Sequence, residues 1–268
     1  MRPERLMLTF EKELETGRAI ARKAGETALR YFRTGIAFES KSDHSPVTDA
    51  DRECERLIAA ELEHAFPDDG LLGEEGAQKN SRSGRRWIID PIDGTRDFVR
   101  GSPAWAVLIG LEVEGDIMAG FACLPALGDL FFASRGGGAF VNDQPIHASQ
   151  AASIAEAVLC LNGFNALTGQ PFAGQLIEWM RPFWSVRSMG GCLDAMMVAR
   201  GQADLWIELS GKPWDFAPLK IIAQEAGARF FDFEGKDTIY GGNCVICAPG
   251  MEQAARLFVS RPGLGGLS

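Results

Sequence analysis

The chain has 268 residues, 46% of them hydrophobic, which is enough for a substantial core at a size where one core begins to divide in two. Its formal net charge of −9 and sequence pI near 5.0 repel phosphate backbones and anionic membranes, so neither nucleic acid nor a membrane is expected as a partner. No signal-like stretch opens the chain, no apolar run reaches bilayer length, and six cysteines are too sparse for a disulfide scaffold, which together predict a cytoplasmic protein with reduced thiols.

In chain order, apolar positions at helical spacing predict a helix over 11–32 and a second over 49–66 with Thr48 as its N-cap. The polar segment 34–47 between them reads as a mobile loop. Residues 86–90 form a short apolar strand, and 104–141 reads as an antiparallel meander broken at Glu114-Gly115-Asp116, Leu127-Gly128-Asp129 and Gly136-Gly137-Gly138. From 157 onward, strand-like and helix-like stretches alternate: strands over 157–161, 184–188, 203–209 and 228–233, helices over 170–180, 192–199 and 215–226. The tail 262–268 is glycine-rich and reads as disordered. We expect two fused halves, 1–147 as an α+β half carrying the metal-binding motifs and 148–268 as an α/β half completing the site.

The strongest chemical feature is Trp87-Ile88-Ile89-Asp90-Pro91-Ile92-Asp93-Gly94-Thr95. A buried strand ends in two aspartates three apart, with a proline fixing the turn and a helix beginning near Arg96. The amides of Gly94 and Thr95 at that helix start favour an anion. Asp-Pro and Asp-Gly pairs are also ordinary turn chemistry. Gly73-Glu74-Glu75-Gly76 reads alone as a solvated loop, and Trp214-Asp215 as the start of a helix whose Pro218 belongs in the first turn and whose Gly227 suits the C-terminal end. If Glu74, Asp90, Asp93 and Asp215 converge, each like-charge pair at 4 Å costs about 4 kcal/mol at an effective dielectric of 20. An anionic ester enters such a site only with divalent cations, and all-oxygen ligation is the preference of magnesium rather than zinc.

These stretches resemble the three signatures of the inositol monophosphatase family: Gly73-Glu74-Glu75, Asp90 to Thr95 with Phe98, and Trp214-Asp215, with Val47 to Asp51 and Gly137 to Phe140 extending the likeness. The resemblance implies an α+β fold, a layered αβαβα sandwich of the sugar-phosphatase type, a homodimer, two to three Mg2+ ions and lithium sensitivity. It also implies that Glu74, Asp90 and the Ile92 carbonyl hold one ion, that Asp90, Asp93 and Asp215 hold a second, and that the Gly94 and Thr95 amides take the phosphate. In the family, Asp51 bonds the Thr95 hydroxyl, and that pair works with Glu74 to orient and deprotonate the attacking water. Read from position alone, Asp51 is a first-turn acid in a capping box with Thr48. Lys41 is similar to the family's loop lysine. The implied reaction is in-line attack of water on phosphorus with no phosphoenzyme; His44, His64 and His147 lie outside the motifs, and no cysteine has an arginine six positions on.

For the alcohol, the resemblance implies contacts from Asp93, Gly190, Gly191, Cys192 and Glu208. The best expectation is inositol 1-phosphate, with histidinol phosphate as the alternative because Arg96 to Gly101 and Lys212 to Phe216 depart from the inositol pattern toward that branch. A regulatory binding protein of the same fold, associated with RNA or transcription, is the alternative of another class. Cys244-Val245-Ile246-Cys247 lacks partners for a zinc knuckle and reads as a buried strand; Trp105, Trp179, Trp184 and Trp206 read as core or dimer-interface residues.

Overall fold

The computed structural model describes residues 10–32, 39–40 and 46–260. Lys41, most of the expected loop 34–47 and the tail 262–268 lie outside the described residues. The first half contains α1 (Glu11–Phe32), the short antiparallel pair β1 (Glu39–Ser40) and β2 (Pro46–Val47), α2 (Asp49–Ala65), β3 (Gly70–Gly73), β4 (Gln78–Lys79), β5 (Arg85–Asp93) and α3 (Thr95–Arg100). It continues with β6 (Ala106–Val113), β7 (Asp116–Leu124), β8 (Asp129–Ser134), β9 (Gly138–Val141) and β10 (Gln144–Ile146). The second half contains β11 (Val158–Asn162), α4 (Leu176–Met180), β12 (Ser185–Arg187), α5 (Gly191–Ala199), β13 (Leu205–Glu208), α6 (Pro213–Glu225), β14 (Arg229–Phe231), β15 (Cys244–Cys247) and α7 (Glu252–Val259).

Strands β3 to β10 build an eight-stranded sheet in the order β10-β9-β8-β7-β6-β5-β3-β4, and β11 to β15 a five-stranded sheet in the order β12-β11-β13-β15-β14. The expected meander is present in full and extends back through β5. Strand alternation assigns the layers. Trp87 and Ile89 of β5 face α1 and α2, while Ile88 between them faces α5 and α6. On β13, Trp206 joins that same middle layer, and Leu205 and Ile207 face Trp179 and Phe258 on the outer side. The order is therefore α1/α2, sheet, α5/α6, sheet, α4/α7: the layered α+β sandwich that the resemblance implies. Each fully buried Ile or Leu in these layers contributes about 2 kcal/mol relative to exposure.

Two helices differ from expectation. Over 170–180 only one 3-10 turn, Ala173–Gln175, and the five-residue α4 form, with Gly174 opposing a continuous helix. Helix α6 begins at Pro213, so Pro218 lies inside it, beyond the first turn. That helix is seated hard on the large sheet: a Cβ on Gly120 would come within 2.8 Å of Pro218 Cα, and one on Gly110 within 2.8 Å of Ala217 Cβ. Helix contact through a proline and an alanine, with glycines beneath, brings the start of α6 close to the end of β5.

All six cysteines are free and buried, and Cys244 to Cys247 is a buried strand between β13 and β14, antiparallel to both. Trp105 and Trp206 are fully buried, whereas Trp184 is 73% exposed. Among the described residues no helix is long and apolar enough to cross a membrane.

Candidate active site

Parallel pairing fixes where the acids meet. β3 runs parallel to β5 with Gly73 opposite Ile89, so Glu74, the next residue, leaves the sheet beside the end of β5 and its amide donates to the Ile89 carbonyl (3.1 Å). β11 runs parallel to β13 with Asn162 opposite Glu208, which brings their ends to the same cleft. The fifth contributor is the first turn of α6, where Asp215 accepts from the Lys212 amide (2.7 Å). The cleft, about 310 Å3 in volume, is lined by Glu74, Asp90, Ile92, Asp93, Gly94, Thr95, Gly191, Cys192, Glu208 and Asp215, all read from the sequence. Gly190 is the cap of α5 behind it, pressed against Ala104.

The pairing of β5 with β6 slips between Asp90 and Asp93, and this irregularity turns both aspartates toward one side. Asp90 Oδ1 accepts from the Ile92 amide (3.0 Å) and Thr95 Oγ1 donates to the Ile92 carbonyl (3.1 Å), which holds the Asp90 to Thr95 turn closed. Gly94 sits at φ 82°, and a Cβ there would lie 2.8 Å from the Ala104 carbonyl oxygen, so only glycine fits. Asp93 is held from the other half of the molecule, by the amide and thiol of Cys192 at the start of α5.

Ligand oxygens of Asp90, Asp93 and Asp215 lie within 4.8 Å of one another. Asp90 is 1% exposed, and its carboxyl shares a hydrogen bond with that of Asp215. Burial, reinforced by the neighbouring acids, pushes Asp90 well above the carboxylate range, Asp93 up to about 6 and Asp215 up to about 7. Glu208, 9% exposed, is driven by burial up to about 8, with Asp93 and Asp215 adding repulsion. Among the described residues no Lys or Arg forms an ion pair with Asp90, Asp93 or Asp215. Acids this close, one buried and two half-buried, made only of oxygen donors and without a basic partner among the described residues, fit hard divalent cations. The Cys192 thiol, raised by burial and by Asp93, stays protonated as a donor rather than a soft ligand.

Asp51 departs from expectation. Its Oδ2 accepts from the Thr48 amide (2.7 Å) and hydroxyl (2.6 Å), the capping box of α2. The expected hydrogen bond with Thr95 is not formed, because the turn at Gly94 directs the Thr95 hydroxyl to Ile92 and the cap directs Asp51 to Thr48. Asp51 Oδ1 is left buried with no hydrogen-bond partner, and burial lifts the carboxyl to about 6, with Glu75 and Glu74 contributing repulsion. Asn162 is a lining residue that sequence reasoning missed. Its amide donates to Asp194 (2.7 Å), which is fully buried and also accepts from the Met189 and Gly190 amides. The expected strand stopped at 161, one residue short.

A sequence model described as the inositol monophosphatase family matches residues 10–261. Over 237 residues, 88% of this chain and 92% of the relative, the chain is 40% identical to a histidinol-phosphatase of Chlorobaculum parvum. It is 32% identical to an inositol-1-monophosphatase of Rhizobium meliloti, with 96% of each chain covered. The solved structure of an IMPase from Thermotoga maritima superposes with a TM-score of 0.84 at 31% identity, covering 92% of this chain and 96% of its own. Matched along nearly its whole length in sequence and in layer order, the chain belongs to the inositol monophosphatase family, whose members are metal-dependent phosphatases.

Proposed function

We propose that the chain is a Mg2+-dependent phosphomonoesterase for a small alcohol phosphate, with a positively charged amino alcohol, histidinol phosphate, as the preferred substrate and inositol 1-phosphate as the second reading. The observation that carries it is the charge of the cleft. Among the described residues six carboxylates line it; with Glu74, Asp90, Asp93 and Asp215 assigned to cations, Asp97 and Glu208 remain on the wall beside Arg96. A buried carboxyl such as Glu208 facing the ligand favours an alcohol that carries a cation, which would draw it into its ionised form. The name of the 40% identical relative supports the same choice, whereas that of the 32% identical relative supports inositol.

Divalent ions held by Glu74, Asp90, the Ile92 carbonyl, Asp93 and Asp215 supply charge neutralisation, a lowered water pKa and stabilisation of the leaving alkoxide. The chain's own groups do the rest. The Gly94 and Thr95 amides hold the phosphate, and Thr95 orients the attacking water while Glu74 accepts its proton; Asp51 stays in the capping box with Thr48. The oxygen–phosphorus bond forms opposite the ester bond that breaks, and the alkoxide leaves with a proton from solvent. Glu208, Asp93 and the Gly190 to Cys192 turn hold the alcohol. The complete acid set favours this reading over a regulatory RNA- or transcription-associated protein. Phosphate release from histidinol phosphate, inositol 1-phosphate, fructose bisphosphate and adenosine bisphosphate, with Mg2+ and with lithium added, tests it. We expect histidinol phosphate to dominate by kcat/KM; no Mg2+-dependent turnover of any of the four would overturn it.

A further inference from the structure

The buried face of α2 consists of Ala50, Asp51, Cys54, Glu55, Ile58 and Leu62, and Glu55 on it is only 4% exposed. A carboxylate there is tolerated only if hydrogen-bonded. Its partners are backbone amides on a distant turn: Oε2 accepts from Glu75 (2.8 Å) and Oε1 from Ala77 (2.7 Å). That turn is closed by the Gly73 amide donating to the Ala77 carbonyl (2.7 Å), and the Glu55 carboxylate fills its inside. A Cβ on Gly73 would lie 2.3 Å from Glu55 Oε2, which explains a glycine at that position.

Glu74 stands between these anchors. On one side its own amide is fixed to β5 through Ile89, and on the other Glu55 grips the next amide in the chain. We propose that Glu55 is a positioning residue that sets Glu74 against the divalent-ion site. The cost of placing a third acid near Glu74 and Glu75 is offset by two charge-assisted hydrogen bonds to backbone, and what they secure is the placement of one ligand relative to the β5 aspartates. Ion sites require their ligands within about 0.5 Å, and removing the groups that orient a ligand typically weakens metal binding about 10- to 100-fold.

The inference rests on the assignment of Glu74 as an ion ligand, and a double-mutant cycle separates the two. Mn2+ binding to the substrate-free protein, followed by the EPR signal of the free ion, is measured in wild type, Glu55→Gln, Glu74→Gln and the double variant. Glutamine keeps the shape but offers only one acceptor to two donors. We expect Glu55→Gln to weaken Mn2+ binding about 10-fold in the presence of Glu74, and to leave the residual binding by Asp90, Asp93 and Asp215 unchanged in the Glu74→Gln background. Equal losses on both backgrounds, or none in Glu55→Gln while Glu74→Gln weakens binding, overturn the inference alone. Wild-type binding in Glu74→Gln overturns the ligand assignment and the inference with it. Gly73→Ala, which displaces the same carboxylate but keeps its charge, must reproduce the Glu74-dependent loss, and this holds the test open if Glu55→Gln does not fold.

Discussion

At the start of β5, Arg85 donates to Glu13 (2.6 Å) and Asp69 (3.1 Å), and Arg86 donates to Glu112, which also takes the Tyr240 hydroxyl. At the end of the same strand, Asp90 and Asp93 face Asp215 and Glu74. Within the nine residues of β5 a neutralised cluster of buried acids gives way to one with which, among the described residues, no Lys or Arg pairs. The difference lies in what each end is for. Where arginines pair with them the acids fasten strands and helices together; where none does among the described residues, burial and mutual repulsion leave a demand for positive charge.

The largest expected effect tests that demand. Asp90→Asn or Asp93→Asn should reduce kcat with Mg2+ about 1000-fold, the loss of roughly 4 kcal/mol of transition-state charge stabilisation. The same change should leave the melting temperature in EDTA equal or higher, because an acid that its surroundings disfavour in the ionised form is gone. A variant that melts lower and stays active would show that these acids serve structure. The mirror experiment is Arg85→Ala, which strands Glu13 and Asp69 without their cation. Unfolding by urea should show a loss of about 2 kcal/mol, with kcat at saturating Mg2+ within about twofold of wild type, since no catalytic group is touched.

The smallest effect is in pH. In the unfolded chain these acids titrate near 4, while in the folded, metal-free protein Asp93, Asp215 and Glu208 are raised to about 6, 7 and 8. Between pH 5 and 8 the folded state therefore holds protons that the unfolded state has released, and stability falls as pH rises. Saturating Mg2+ binds the deprotonated acids and favours the folded state more at high pH. Melting curves should show the gap between Mg2+ and EDTA widening from pH 5 to 8; a metal-free melting temperature that rises across this window would contradict the comparison.

How much of this was legible depended on range. Asp90, Asp93 and Asp215 could be read because their turn and helix-start signals are local and because three spaced motifs resemble one family. Thr48 capping α2 was local too. Glu55 was not legible: a Glu on an amphipathic helix reads as solvated, and its partners are backbone amides 20 and 22 residues away, which leave no trace in residue type. Asn162 was missed because strand ends are set by pairing, here with Glu208, rather than by hydrophobic pattern. The start of α6 was misplaced by two residues because its Pro218 signals a first turn, whereas contact with Gly120 keeps the proline deeper in the helix.

The seat of α6 on Gly110 and Gly120 acts as a gauge block between the two halves. Asp215 rides on that helix and Asp90 on the sheet beneath, so the thickness of an alanine and a proline resting on bare backbone sets the gap across which the acids confront each other. One methyl group added at Gly120 would press on Pro218 and Ile221 and spread these acids from below.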